Sequence, residues 1–276
     1  MSTVTCPFCL RPMGGKDRSS EHIIPRWVHK LPGIVASYRL PANSGRSWMV
    51  WDHTFVRSQQ GDSVAHLPAM RPAIRKPLHA HNLTIPVCRA CNNGWMSQLE
   101  DSARPHLIPL IEGQTDELTA AASTDVMRWA AKTAVAFQQT DPPGATMLSA
   151  QLRDLVHGRL PRWVSVAIAR CDDPGEAIMI HAPMAVKLSN PVGESDTIVG
   201  GRTIISVGEV ALFVRQYDRP REFLEDQFAV YPEPDPPPPW RRVMAGQATT
   251  LCPNPISYDT SIAMVRPKPN GPPVFW

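Results

Sequence analysis

Hydrophobic positions along this chain recur at two different periods, and the change of period marks out its organisation. Residues 4–13 read as a short turn, and the stretch 27–81 is irregular and rich in Pro, Arg, Ser and Trp, with a strand at 47–56. Leu83, Ile85 and Val87 then alternate with polar neighbours, the period of a short strand over 82–87. Trp95, Met96 and Leu99 share one side of a helix that Asn92 or Asn93 caps and that runs to about Ser102. Pro105 suits the first turn of a further short segment ending near Gly113. The clearest helix follows, with Val126, Trp129, Ala130, Thr133 and Phe137 at three- and four-residue spacing, and Asp141-Pro-Pro-Gly ends it. A shorter helix is expected over 149–157. After Pro161 the period drops to two, predicting strands at 163–171, 177–188, 197–207 and 209–217, with Gly208 at a hairpin turn. Residues 232–239, PEPDPPPP, read as extended polyproline-like chain. The pattern is that of an α+β protein.

A chain of 276 residues accommodates one large core or two modest ones. Hydrophobic residues make up 43% and charged residues 19%, a globular balance, and no run approaches the roughly 18 apolar residues of a membrane span. The first residues lack the charged and apolar regions of a secretory signal, so the expected compartment is the reducing cytoplasm, with no membrane partner. The net charge of +3 is unevenly spread. Residues 1–112 carry 13 Lys/Arg against 7 Asp/Glu and seven of the nine histidines, whereas 113–276 carry 15 against 18. A basic, His-rich first part suits a polyanion, because Lys and Arg replace counterions along a phosphate backbone. The same imbalance also describes an ordinary basic surface.

The cysteines sharpen the picture. Cys6 and Cys9, and again Cys88 and Cys91, form two Cys-x-x-Cys pairs, whereas Cys171 and Cys252 stand alone. Four thiolates are the ligand set of a tetrahedral structural zinc site, and each pair brings two sulfurs of one turn to one ion. All four coordination positions are then filled by protein, so such an ion builds the fold and does no catalysis.

Between the pairs lies Glu21-His22-Ile23-Ile24-Pro25; Asn82-Leu83 precedes the second pair, and Asn92-Asn93-Gly94-Trp95 follows it. This order resembles the zinc-containing HNH (ββα-metal) nucleases of bacteria and phages, over roughly residues 4–104. The resemblance implies an N-terminal ββα-metal module over 1–112, followed by a helix pair and a mostly β region at 113–276. It implies that His22 is the general base, that Asn82 orients it, and that Glu21 and Asn92 hold a catalytic Mg²⁺ or Mn²⁺. Asn93 takes the role of Asn92 if the register shifts by one, and His79 or His81 lies close enough to Asn82 to reach that ion. The implied substrate is DNA, or RNA, with Arg39, Arg46, Arg57, Arg71, Arg75 and Lys76 of the long insertion as phosphate contacts. Two departures stand out. Glu replaces the more frequent Asp before the histidine, and the gap from His22 to Asn82 is about twice that of compact members.

The residue types fit the chemistry. Imidazole, with an ordinary pKa near ~6.5, can take a proton from water near neutral pH, and carboxylate and amide oxygens are hard ligands for a divalent ion. A zinc nucleobase deaminase needs a His-x-Glu or Cys-x-Glu partner before its second knuckle, and none occurs here. The remaining alternative is a zinc-stabilised, non-catalytic nucleic-acid-binding or interaction module. Residues 113–276 show no nucleotide-binding glycine motif; target recognition, a protein partner or a homodimer contact is the expected role.

Overall fold

The computed structural model describes residues 4–34, 84–139, 152–161, 163–172, 177–189, 195–217, 240–253 and 255–256. The expected strand at 47–56, the six basic residues Arg39, Arg46, Arg57, Arg71, Arg75 and Lys76, Asn82, His79, His81 and the proline tract lie outside them.

Two strands open the fold. β1 (Arg18–His22) pairs antiparallel with β2 (Thr84–Cys88), with Arg18 opposite Cys88 and His22 opposite Thr84. β2 runs directly into one helical turn, α1 (Arg89–Cys91), then a π-turn over Asn92–Met96, then α2 (Ser97–Ile111). The expected break at Pro105 does not occur, and α2 continues through both Pro105 and Pro109. Proline inside a helix removes an N–H donor and costs about 3 kcal/mol. Here neither proline lies on the buried face, while Leu99, Ala103, Leu107 and Leu110 bury against the next helix and offset that cost. α2 stops at Gly113, whose φ of +65° is the left-handed conformation of a helix end.

α3 (Ala120–Gln138) starts on the Thr119 hydroxyl, which accepts from the Ala122 N–H. It is buried along almost its whole length, with Val126, Trp129, Ala130, Ala134 and Val135 at 0–1% exposure. The reason is its position: α2 covers one side and the sheet covers the other. α4 (Arg153–Val156) is the described part of the helix expected over 149–157.

The C-terminal region is an antiparallel five-stranded sheet. Its members are β4 (Val164–Arg170), β5 (Ala177–Ser189), β6 (Ser195–Val207), β7 (Val210–Tyr217) and β8 (Arg241–Val243), in the order β5-β6-β7-β4-β8. A two-residue pairing of β3 (Glu117–Leu118) with β9 (Thr249–Thr250) ties the start of α3 to the end of the described chain. All four strands expected after Pro161 are present within two residues at each end, because each combines a strict period with a clear turn. Gly208 makes the β6–β7 turn with φ +53° and lies against the backbone carbonyl of Ile111, the last residue of α2. A Cβ there meets that carbonyl in a backbone conformation L residues avoid. Gly208→Ala is therefore expected to lose more than ~1 kcal/mol of stability, read as a lower denaturation midpoint at unchanged slope.

One hydrophobic core runs from Cys6, Phe8 and Val87 through Leu107 and Trp129 to Ile168 and Val214. It passes without a gap across residue 112, where the chain's charge and composition change.

Candidate zinc site and the cluster beside it

The first knuckle is a tight loop in which the Cys6 N–H donates to the Arg11 carbonyl and the Leu10 N–H to the Cys6 carbonyl, both at 2.9 Å. Leu10 closes it with φ +64°, the one non-glycine residue in that region among the described residues. In the second knuckle Cys88 is extended and its sulfur accepts from the Cys91 N–H at 3.4 Å. The Arg89 N–H donates to the Asp17 carbonyl at 2.8 Å, fixing this knuckle to the entry of β1. Phe8 meets Trp95 edge-to-face at 5.5 Å and roofs the pair.

The sulfurs of Cys6, Cys9, Cys88 and Cys91 consequently lie within 4.8 Å of one another, and those of Cys9 and Cys88 are 3.5 Å apart. Sulfurs around a tetrahedral zinc with Zn–S near ~2.3 Å stand roughly 3.8 Å apart, so the cluster fits that ion. The Cys91 thiol donates to Cys6, which pushes the Cys6 thiol down to about 4 and Cys91 up. Burial raises Cys9. Four thiolates this close repel one another unless a dication stands among them. The four cysteines can hold a zinc ion.

On β1 the side chains alternate, so Ser19 and Glu21 share one face and Ser20 and His22 the other. Glu21 is buried and His22 half-buried. His22 Nε2 accepts from Nε of the exposed Arg26 at 3.2 Å, which places a lone pair on that nitrogen. Asn92 does not cap the helix. Its backbone is already helical at φ −61°, and its side chain reaches across to β1. There Nδ2 donates to Ser19 Oγ at 2.7 Å and to the Ser20 carbonyl at 3.4 Å. The strand thus engages the amide nitrogen and not the oxygen, the atom a metal takes. Asn93 is exposed.

Asn92 is thereby tied to β1 at Ser19 and Ser20, whereas Glu21 and His22 lie towards the other end of the β1–β2 pair, away from Cys88, which stands opposite Arg18. The sequence reading missed what holds Glu21. Lys132 Nζ, from the middle of α3, lies 2.7 Å from Glu21 Oε1 and 2.8 Å from Glu100 Oε1 on α2. Burial alone pushes this ammonium down, but the two carboxylates outweigh it and hold it above its usual value. A usable signal was present: Lys132 is the single charged residue in α3 after Arg128, inside the apolar run Trp129-Ala130-Ala131-Lys132-Thr133-Ala134-Val135. Nearby, Trp27 approaches Trp129 with ring centroids 6.3 Å apart, and the Arg104 guanidinium lies 5.9 Å from the Trp27 ring centre.

No protein-family model matches this chain, and no curated protein or solved structure matches it significantly. Among the described residues no helix is long and apolar enough to cross a membrane.

Proposed function

We propose that the chain is a metal-dependent endonuclease that hydrolyses phosphodiester bonds in DNA, with His22 as general base. The observation that carries this reading is the seating of Glu21-His22 at the end of a strand pair whose second strand runs through the cysteine knuckle into the helix bearing Asn92. A strand, a second strand and a helix in that order are what the resemblance implies, and they support this reading.

Glu21 offers a hard carboxylate, and Asn92, anchored through its nitrogen, offers an amide oxygen. These two residues would hold the Mg²⁺ or Mn²⁺, which when bound would supply positive charge against the scissile phosphate and the departing 3′-oxygen. His22 takes a proton from the attacking water at Nε2. Arg26 must release that nitrogen first; being exposed, its guanidinium can turn to a phosphate oxygen as substrate arrives, which couples substrate binding to unmasking of the base. The cysteine cluster contributes rigidity alone, because zinc there has no open position.

The second reading, a non-catalytic zinc-stabilised nucleic-acid-binding module, is favoured by one observation: Lys132 already neutralises the carboxylate proposed for the metal. Incubating the purified full chain with supercoiled plasmid and Mg²⁺ or Mn²⁺, against an EDTA control, separates the two. Metal-dependent nicking is expected. No cleavage of any DNA or RNA with either ion rejects the nuclease reading in favour of binding alone.

A further inference from the structure

We infer that Lys132, on helix α3 of the C-terminal region, is a positioning residue for the proposed nuclease site, fixing the carboxylate of Glu21, the residue before His22; this rests on the nuclease reading of Glu21 and His22. Three observations carry it. Lys132 is fully buried and reaches Glu21 Oε1 at 2.7 Å across 111 residues of sequence. Its second bond, 2.8 Å to Glu100 Oε1, holds the ammonium from the α2 side, so Nζ is held from two directions. The helix that carries it is itself immobilised, since Trp129, one turn earlier, packs on Trp27, which follows the Glu21–Pro25 motif.

A buried ion pair of this kind is a poor device for stability, because desolvating the charges roughly cancels their attraction and apolar side chains of the same volume do as well or better. What it provides is a fixed carboxylate. A free glutamate has three rotatable bonds, and a metal-binding carboxylate must stay within about 0.5 Å of its working position. By taking Oε1, Lys132 holds the longer side chain that stands where an aspartate is commoner. The arrangement also gives the C-terminal region a role, since α3 supplies the ammonium that holds Glu21.

The roles of clamp and of plain counter-charge predict opposite results. Removing a positive charge beside a metal-binding carboxylate favours a divalent cation; removing a clamp lowers turnover whatever the cation's affinity. The test uses the full zinc-loaded chain with Mn²⁺ as probe, in three variants: Lys132→Met, Lys132→Arg and Glu100→Gln. Bound Mn²⁺ is followed by its EPR spectrum and plasmid nicking by kcat at saturating Mn²⁺. The wild type is expected to bind Mn²⁺ in one ligand arrangement that Glu21→Gln abolishes. Lys132→Met is expected to keep Mn²⁺ affinity equal or higher, to give a mixed spectrum, and to lose at least 30-fold in kcat. Lys132→Arg, which keeps the charge and so guards against a failure to fold, is expected to fall in between. Glu100→Gln keeps an oxygen that can accept from Lys132 and leaves the Lys132–Glu21 bond in place, so it is expected to lose less than Lys132→Met.

The inference is overturned if either folded Lys132 variant matches the wild type in spectrum and kcat, or if Glu100→Gln loses as much as Lys132→Met. It is also overturned if the wild type shows no Glu21-dependent Mn²⁺ binding, although His22-dependent nicking then leaves the nuclease reading standing. A wild type that gives the expected spectra but cleaves nothing rejects the nuclease reading and leaves Lys132 as the clamp of a metal site.

Discussion

Removing the metal that the four cysteines can hold is expected to unfold the N-terminal part of the protein. Among the described residues the elements joining 4–34 to 84–91 are two five-residue strands and a small apolar core around Phe8, Ile23 and Val87, and the linking chain from Cys9 to Cys88 has 78 intervening residues. A cross-link closing a loop of that size removes on the order of 4 kcal/mol of chain entropy from the unfolded state. Structural zinc in small knuckle peptides contributes roughly 10–16 kcal/mol of apparent binding energy at neutral pH. Either figure rivals the whole stability of an ordinary domain, about 5–15 kcal/mol. Metal-free protein should thus lose its near-ultraviolet Phe8–Trp95 signal and melt at a much lower temperature, and adding back one equivalent of Zn²⁺ should restore both. Cys88→Ser should do the same without chelator, because its sulfur both faces Cys9 and receives the Cys91 N–H. An unchanged melt and spectrum in protein shown to be metal-free would sink this account of the cluster.

The second large effect is expected at His22. A positioned general base contributes typically 10²–10⁴-fold to a rate, so His22→Ala should lower metal-dependent nicking by that order. Stability should hardly change, because the side chain is half-buried at a strand end and takes no part in the core. Zinc content and melting temperature measured beside the nicking rate separate loss of chemistry from loss of fold. A folded, zinc-loaded His22→Ala protein that nicks as fast as wild type removes His22 from the mechanism.

The sequence made four of the five strands of the C-terminal sheet legible, because each of those combines a strict period with turn chemistry such as Gly208, whereas the three residues of β8 are too few to show a period. It made the cysteine cluster legible for a different reason: two Cys-x-x-Cys pairs are a local pattern that needs no knowledge of the fold. It misjudged α2, where Pro105 suggested the start of a separate segment, a break that burial of Leu99, Ala103, Leu107 and Leu110 overrides. Asn92 looked like a cap because helix-start propensity is read from neighbours, and its reach to Ser19 is a contact 73 residues distant. The partnership of Glu21, Lys132 and Glu100 was invisible for the same reason: three side chains on three elements meet only after α3 has packed. A lone lysine in an apolar helical run is the trace such a meeting leaves in sequence.

The π-turn at Asn92–Met96 has a consequence for how this chain can vary. A regular helix turns by about 100° per residue, so every position beyond a given point is phased to those before it. The wider turn, with Gly94 off helical geometry at φ −99° and ψ −112°, lets Cys91 and Asn92 serve the strands while Met96 and Leu99 enter the core. One rod is thus phased to two partners at once, and the five-residue segment sets the offset between them. Its length is therefore under tighter constraint than its composition. A new side chain at the exposed Asn93 changes little, whereas loss of a single residue swings either the cysteine or the leucine out of its place.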